Sequence, residues 1–223
     1  VHIAVIVFPG SNCDHDSYYV FKHILKVSVD LVWHKEKNIK KYDAILIPGG
    51  FSYGDYLRTG AIARFSPIME SIIKDAEAGK PVLGICNGFQ ILIESGLLPG
   101  SLIINKNVRF LSQTVTLEVE NTDSIYTSVF SKGEKITMPI AHKQGNFVAN
   151  YDTLKMLQNE NLIAFRYSSN KNGNPNGSMD RIAGILNKKK NVLGMMPHPE
   201  RSAEFILGSD NGLRIFESML GRT

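Results

Sequence analysis

The chain has 223 residues, of which 43% are hydrophobic and 21% are charged, and its formal net charge is +4. This balance is ordinary for a soluble globular enzyme, and a chain of this length can bury a substantial core. Two cysteines, Cys13 and Cys86, are too few for a disulfide framework, so we expect a reducing, cytoplasmic compartment. The basic residues are dispersed, which argues against a nucleic-acid partner. No apolar run reaches the roughly 20 residues of a membrane span, which argues against a membrane partner.

The first half of the chain alternates strand-like and helix-like segments. The apolar run over 3–8 predicts a first core strand rather than a signal peptide, because it is short and lacks a basic flank. We then expect, in chain order, a helix over 16–26, strands over 27–34 and 43–48, a helix over 65–78, a strand over 81–85 and a helix ending near 95. This alternation predicts an α/β fold of flavodoxin-like type, with a mostly parallel or mixed central sheet and helices on both faces.

The second half is richer in predicted strands. Alternation of apolar and polar residues predicts strands over 114–120, 135–142, 162–167, 182–187 and 192–196, followed by a final helix over 212–220. Residues 170–177 form a turn-rich loop, and the lysine run 188–190 is typical of a solvated turn. We expect the strands of both halves to join one sheet, so that residues 1–223 form a single domain.

The apolar run over 81–85 ends in a motif with a glycine on each side of a cysteine. Gly84 and Gly88 flank Cys86 and permit a sharp strand-to-helix turn that would expose the thiol. At the start of a helix, the free N–H groups and the dipole stabilise a thiolate. The motif therefore predicts that Cys86 is a nucleophile, and the alternative is a small buried side chain in a turn.

A thiolate nucleophile needs a base and a group that orients it, and the segment after the strand over 192–196 offers both. His198 and Glu200 lie two residues apart, and Pro199 restricts the backbone between them. A carboxylate in this position can accept a hydrogen bond from Nδ1 of His198 and leave Nε2 facing the sulfur. The alternative is a surface turn with an unrelated histidine and glutamate.

Donors for the oxyanion are expected at two strand ends, because the carboxyl ends of parallel strands meet at one edge of a sheet. The N–H group of Asn87 follows the nucleophile, and the loop at Gly49 and Gly50 can direct a second N–H group inward. His142 ends another predicted strand and precedes a glycine, so we expect it to line the same pocket.

These residues match a known set of motifs. Gly84, Cys86, Gly88 and Gln90, together with the Pro-His-Pro-Glu segment at 197–200, resemble the motifs of the class I (triad) glutamine amidotransferases. Further blocks look like those of the glutaminase subunits of phosphoribosylformylglycinamidine synthases: VFPGSNCD at 7–14, PGGFSYGDYLR at 48–58, GAIAR at 60–64, NPNGS at 174–178 and GMMPHPER at 194–201. The resemblance extends over about residues 3–220, and it implies the class I glutamine amidotransferase fold.

The resemblance implies an activity. Cys86 would attack the side-chain amide of glutamine, His198 would move the protons, and Glu200 would orient His198. The oxyanion donors would be the N–H groups of Gly50 and Asn87. The residues against the glutamine would be Phe51, Ser52 and Gln90, with His142 in the same pocket.

Partners and cofactors also follow from the resemblance. The ammonia would pass to a large synthase subunit, which uses ATP and Mg²⁺ and works with a small third subunit. This chain would hold no cofactor and no metal of its own, and no G-x-x-x-x-G-K-[ST] run is present in it. One block departs from the family pattern: after Ala141 and His142 the family's Gly-Glu-Gly is Lys143-Gln144-Gly145, so a neutral amide replaces a carboxylate.

Three other readings stay open at this point. A cysteine hydrolase of the DJ-1/PfpI type also has a cysteine at a strand-to-helix corner, although a distant Pro-His-Pro-Glu segment is not expected there. A non-catalytic scaffold could retain the fold, and a glutaminase of this type could serve a different ammonia acceptor. No base-bearing motif pairs with Cys13 in the sequence, and we expect it to be structural.

Overall fold

A computed structural model of the protein describes residues 1–170 and 173–221. Its strands are β1 (His2–Val7), β2 (Ser28–Trp33), β3 (Ala44–Ile47), β4 (Val82–Ile85), β5 (Ser101–Ile103), β6 (Leu111–Val119), β7 (Lys135–His142), β8 (Asn146–Val148), β9 (Ile163–Tyr167), β10 (Ile182–Leu186) and β11 (Val192–Met195). Its α-helices are α1 (Asp14–Tyr19), α2 (Pro67–Glu77), α3 (Asn87–Glu94), α4 (Tyr151–Asn159) and α5 (Leu213–Met219). A π-helical turn (Val20–Ile24) follows α1 directly.

Nine strands form one mixed sheet in the order β2-β1-β3-β4-β11-β10-β9-β6-β7. The five strands from β2 to β11 pair in parallel, and the remaining pairs are antiparallel. The chain moves in opposite directions across the sheet from β1 to β2 and from β3 to β4. Because such crossovers are right-handed, α1 and α2 lie on opposite faces. The predicted α/β fold with a mixed central sheet and helices on both faces is confirmed.

The predicted strands of the second half join the same sheet as those of the first half. β11 inserts between β4 and β10, although more than 100 residues separate it from β4 in sequence. The lysine run forms the predicted turn, and its three lysines bond to Glu160, to the carbonyl of Glu77 and to Asp123. No helix in the described ranges is long and apolar enough to cross a membrane.

Among the strands and α-helices of the described residues, β5, β8 and α4 were not predicted. β5 and β8 pair as a separate two-stranded sheet, and three residues each are too few to show an alternation of polar and apolar side chains. The helix α4 begins after Asn150, whose side chain accepts a hydrogen bond from the N–H group of Thr153 at 2.8 Å.

Within the predicted loop over 170–177, residues 171 and 172 lie outside the described part of the chain.

Four strand ends position the candidate site. β3 and β4 are buried along their whole length, as expected of central parallel strands with a helix on each face. The loops that follow β1, β3, β4 and β11 leave from the same edge of the sheet, since these strands are parallel. These loops contain Cys13, Gly50, Cys86 and His198, so residues distant in sequence meet at one edge.

A buried tyrosine joins the opposite ends of β4 and β11. The side chain of Tyr126 is fully buried, and its hydroxyl lies 2.9 Å from the carbonyl oxygen of Val82 and 2.7 Å from that of Asn191. The N–H group of Val82 also donates to the carbonyl of Asn191 at 2.9 Å. Tyr126 therefore holds together the two strands whose other ends lead to Cys86 and His198.

We predict that Tyr126→Phe lowers the free energy of unfolding by about 1–2 kcal/mol, because a buried carbonyl loses its hydroxyl donor. Urea denaturation followed by circular dichroism measures this loss. Tyr151→Phe is the matched control, since the side chain of Tyr151 is 68% exposed. Equal stability of the two variants would show that the Tyr126 hydroxyl does not stabilise this strand pair.

Candidate active site

Cys86 lies at a strained corner between β4 and α3. Its backbone has φ 51° and ψ −104°, and its N–H group donates to the carbonyl of Met195 at 2.8 Å. A Cβ atom at Gly88 would lie only 2.0 Å from the carbonyl oxygen of Ile47, so no larger residue fits there. A non-glycine residue in a left-handed conformation at such a corner is typical of an exposed nucleophile. The glycine motif predicted this turn, but the side chain of Cys86 is only 5% exposed and reaches cavities rather than the open surface.

His198 and Glu200 form a buried pair. Nδ1 of His198 lies 2.5 Å from Oε1 of Glu200, and the two residues are 1% and 3% exposed. A carboxylate at Nδ1 fixes the tautomer that leaves Nε2 free, and Nε2 has no hydrogen-bond partner in the described residues. His198 and Cys86 line the same cavity of about 130 Å³, so the structure brings together the three predicted catalytic residues.

The electrostatic surroundings favour a charged imidazole. Burial lowers the pKa of His198, but the negative charges of Glu200 and Cys86 and the proximity of the Cys13 sulfur raise it more, so that its pKa is well above the ordinary value. An imidazolium beside Cys86 is the partner that stabilises a thiolate. The arrangement can therefore present a nucleophilic sulfur and a proton donor to one substrate atom.

The loop after β3 offers one N–H group beside Cys86. In the loop after β3, Phe51 donates its N–H group to the carbonyl of Gly10 at 3.0 Å, and Ser52 donates to Oδ1 of Asn87 at 3.2 Å. This leaves the N–H group of Gly50, which lies on the same cavity as Cys86.

The conformation of the loop at Gly50 depends on glycine. Gly50 has φ 139°, and a Cβ atom there would lie 2.8 Å from the backbone nitrogen of Asn12. Asn87 is the first residue of α3, where N–H groups have no partner within the helix. Its side chain also binds the loop through Ser52, so the two predicted oxyanion donors are physically linked.

A larger cavity of about 290 Å³ opens beside the thiol. Its lining residues are Gly50, Phe51, Asp55, Thr59, Cys86, Gln90, Phe110, Ala141, His142, Lys143 and Gln144. Gln90 is fixed in place, because its Nε2 donates to the carbonyl of Gln144 at 2.6 Å and its Oε1 accepts from Asn87 at 2.9 Å. Three of the four predicted substrate residues, namely Phe51, Gln90 and His142, therefore lie on this cavity.

Ser52 is the fourth predicted substrate residue, and it lines neither cavity. Its side chain is buried, and its Oγ atom has no hydrogen-bond partner in the described residues. The N–H group of Ser52 is bound to Asn87, so the contribution visible in the structure is to the position of the loop. A direct contact between Ser52 and a substrate stays a prediction.

His142 is a neutral, buried imidazole at the end of β7. It is 3% exposed, and neither ring nitrogen has a hydrogen-bond partner among the described residues. Burial and the charge of His198 lower the pKa of His142 to about 4. A Cβ atom at Gly145 would lie 2.3 Å from Cε1 of His142, so only glycine leaves room for the ring.

Cys13 lies beside the pair of His198 and Glu200, which sequence spacing alone did not indicate. The donor atoms of these three residues lie within 4.8 Å of one another, the one such group in the described residues that could hold a metal ion. Nδ1 of His198 is already bonded to Glu200, and Arg201 donates from Nη2 to the Cys13 sulfur at 3.1 Å. Nε2 of His198 and Oε2 of Glu200 have no hydrogen-bond partner in the described residues, so the absence of a metal from this site stays a prediction.

The loop after β3 is anchored on the helix that follows Cys86. Arg58 forms a two-pronged ion pair with Glu94 of α3, with distances of 2.5 and 2.7 Å. Thr59 donates its hydroxyl to Oε1 of Gln144 at 3.0 Å. The amide oxygen of Gln144 is thus a hydrogen-bond acceptor at the position where the family pattern has a carboxylate.

Comparison with known proteins agrees with this geometry. The sequence pattern of the CobB/CobQ-like glutamine amidotransferase domain matches residues 1–213. A chain of PurLQS from Thermotoga maritima is 45% identical, with a TM-score of 0.89 over 99% of this chain and 97% of that chain. This chain belongs to the CobB/CobQ-like glutamine amidotransferase family. It is an enzyme that uses glutamine as its amide-nitrogen donor, and the resemblance stated from its sequence is confirmed.

More distant proteins share the fold. A glutamine amidotransferase from Thermotoga maritima is 15% identical, with a TM-score of 0.58 over 99% of this chain and 82% of that chain. The glutaminase domain of CTPS from Trypanosoma brucei, with bound acivicin, is 14% identical, with a TM-score of 0.61 over 100% of this chain and 95% of that chain. At such identities the likeness concerns the fold alone.

We predict that His142 makes the folded glutaminase less stable as the pH falls from 6.5 to 4. In that range an unfolded histidine binds a proton while His142 stays neutral, since its folded pKa is about 4. The unfolded state then binds more protons, and the free energy of unfolding decreases by up to about 3 kcal/mol. Urea denaturation at several pH values measures this loss.

The comparison is made with His142→Gln. Asp55 also titrates in this range, because burial raises its pKa to about 6. Both proteins contain Asp55, so its contribution cancels when the free energy of unfolding of one is subtracted from that of the other. An unchanged pH dependence in His142→Gln would contradict a neutral buried His142.

Proposed function

We propose that this chain is the glutaminase subunit of phosphoribosylformylglycinamidine synthase. The observation that supports this best is the 45% identity with a chain of PurLQS over nearly the whole length of both chains. The GGFSYGDYLR block at 49–58 supports it further, because it resembles a block specific to these glutaminase subunits, whereas the Cys86 and His198 motifs resemble the whole superfamily. The fold alone would not select this synthase among the glutamine-dependent enzymes.

In the first half of the proposed reaction, the Cys86 thiolate attacks the amide carbon of glutamine. The carbonyl oxygen becomes an oxyanion and accepts hydrogen bonds from the N–H groups of Gly50 and Asn87. The carbon–nitrogen bond then breaks as His198 gives its proton to the leaving nitrogen. The products are ammonia and a γ-glutamyl thioester on Cys86.

In the second half, water hydrolyses the thioester. His198 is now neutral and takes a proton from the water as it attacks the thioester carbon. The carbon–sulfur bond breaks, which releases glutamate and restores the thiolate beside an imidazolium. Glu200 keeps Nε2 of His198 directed at the reacting atoms in both halves, because it holds Nδ1 at 2.5 Å.

The ammonia then passes to the large synthase subunit, which uses ATP and Mg²⁺ to make formylglycinamidine ribonucleotide and works with a small third subunit. The PurLQS relative supports the association with a synthase subunit. We propose that this chain needs no cofactor or metal of its own and acts in the cytoplasm. Neither nucleic acid nor a membrane is a proposed partner.

We predict that Cys86→Ala stops amidine formation from glutamine but not from ammonium. The assay contains this chain, its synthase subunits, ATP and formylglycinamide ribonucleotide, with glutamine or ammonium as the nitrogen source. Loss of the nucleophile lowers the glutamine-driven rate by about 10⁴-fold or more, whereas ammonium bypasses the glutaminase. Ser218→Ala is the matched control, since Ser218 is a buried side chain of similar size that lines neither cavity at Cys86.

Two results would contradict the proposal. Equal glutamine-driven rates in Cys86→Ala and the wild type would remove Cys86 as the nucleophile and favour a scaffold. If the wild type yields no amidine from glutamine while the synthase is active with ammonium, the ammonia acceptor of this glutaminase is a different enzyme.

A further inference from the structure

Two charged side chains without partners lie on the cavity that contains the Cys86 thiol. Asp55 belongs to the loop after β3, and Lys143 follows the end of β7. Neither side chain forms an ion pair or a hydrogen bond with another described residue. Both side chains are therefore free to bind a ligand in the cavity that contains the Cys86 thiol.

Asp55 is a carboxylate that lacks a counter-ion. Its Oδ1 atom is buried and has no hydrogen-bond partner in the described part of the chain. Burial raises the pKa of Asp55 to about 6, as expected for a partly buried acid with no cation beside it. A partly buried charge without a partner is unfavourable, and a ligand cation at this carboxylate would offset that cost.

The conformation of the loop also fixes the position of Asp55. Tyr53, Gly54 and Asp55 have left-handed backbone conformations in succession, with φ values of 55°, 71° and 51°. The hydroxyl of Tyr53 lies 3.0 Å from Nδ1 of His34 and 2.8 Å from Oγ of Ser66, which holds this turn against the body of the protein.

Lys143 supplies the opposite charge on the same cavity. Its neighbours along the chain are the neutral imidazole of His142 and the neutral amide of Gln144, so no adjacent carboxylate compensates the ammonium group. The cavity thus has a thiol and an amide-rich wall, and it also has one negative and one positive group. Free glutamine carries the complementary groups. Its ammonium group matches Asp55, its carboxylate matches Lys143, and two methylene groups separate this charged end from the amide.

We propose that Asp55 binds the α-ammonium group and Lys143 the α-carboxylate of the substrate, so that the site accepts glutamine only as a free amino acid. This inference rests on the proposed glutaminase function and adds the residues that recognise the far end of the substrate. Charge-assisted hydrogen bonds of this kind are short and strong, and they fix the orientation of the ligand. A glutamine within a peptide lacks both charges and would leave Asp55 and Lys143 unpaired.

The test compares glutamine with two truncated analogues in the assembled synthase. Glutaramic acid lacks the α-ammonium group, and 4-aminobutanamide lacks the α-carboxylate. We expect Asp55→Asn to raise the KM for glutamine about tenfold to a hundredfold with kcat changed less than about threefold, because the contact is remote from the reacting bond. The same variant and the wild type should hydrolyse glutaramic acid equally.

Lys143→Met should give the complementary result. Its KM for glutamine should rise, while its rate with 4-aminobutanamide should equal that of the wild type. Asp152→Asn and Lys135→Met are the matched controls, since both side chains are exposed and lie outside the cavity. If a variant at 55 or 143 slows glutamine and the matching analogue by the same factor, its role is structural and the proposal is overturned.

A binding measurement separates this inference from the proposed function. Calorimetric titration of L-glutamine into the Cys86→Ala protein needs no turnover and no acceptor. Weaker binding in Cys86→Ala/Asp55→Asn than in Cys86→Ala supports the inference even if the synthase assay fails. Equal binding in the two proteins overturns it, whatever the synthase assay gives.

Discussion

The parallel pairing of β4 with β11 is the constraint on which the rest of the site depends. Ile85 pairs with Met195, so the residues that follow the two strands leave the sheet side by side. The N–H group of Cys86 continues this ladder by donating to the carbonyl of Met195. A one-residue slip in register would exchange the faces of one strand and move Cys86 away from His198.

The strain at the corner is supported by close packing around it. Cys86 has a positive φ, which is unfavourable for a residue with a side chain, and such a conformation persists only where the surroundings determine it. The close approach of Gly88 to Ile47 and the contact of Asn87 with Ser52 are such surroundings. Because β3, β4 and α3 pack together here, the same contacts position the loop at Gly50 and the turn at Cys86.

The local parts of the site could be predicted from the sequence, and the contacts between distant segments could not. The turn at Cys86 depends on two glycines within five residues, and the pairing of His198 with Glu200 depends on a spacing of two. By contrast, the position of Cys13 beside His198 depends on the order of β1, β3, β4 and β11 in the sheet. Nothing in the composition of the chain fixes that order.

The same reasoning explains the other omissions. Asp55 and Lys143 lie on different loops, and their common cavity exists only once β7 has joined the sheet. Short strands such as β5 and β8 contain no readable periodicity. The bond from the N–H group of Ser52 to Asn87 also joins two segments that are distant in sequence, so the motif alone did not indicate it.

The most direct measurement of whether Cys86 is the activated thiol is affinity labelling with a glutamine-like chloroketone, followed by peptide mass spectrometry. Cys13 and Cys86 are both buried, so burial alone would make them equally slow to react. An activated Cys86 beside His198 should be alkylated first, L-glutamine should protect it, and His198→Ala should slow the reaction. Labelling of Cys13 at the same rate, or labelling of Cys86 that glutamine does not slow, would contradict the assignment of Cys86 as the nucleophile.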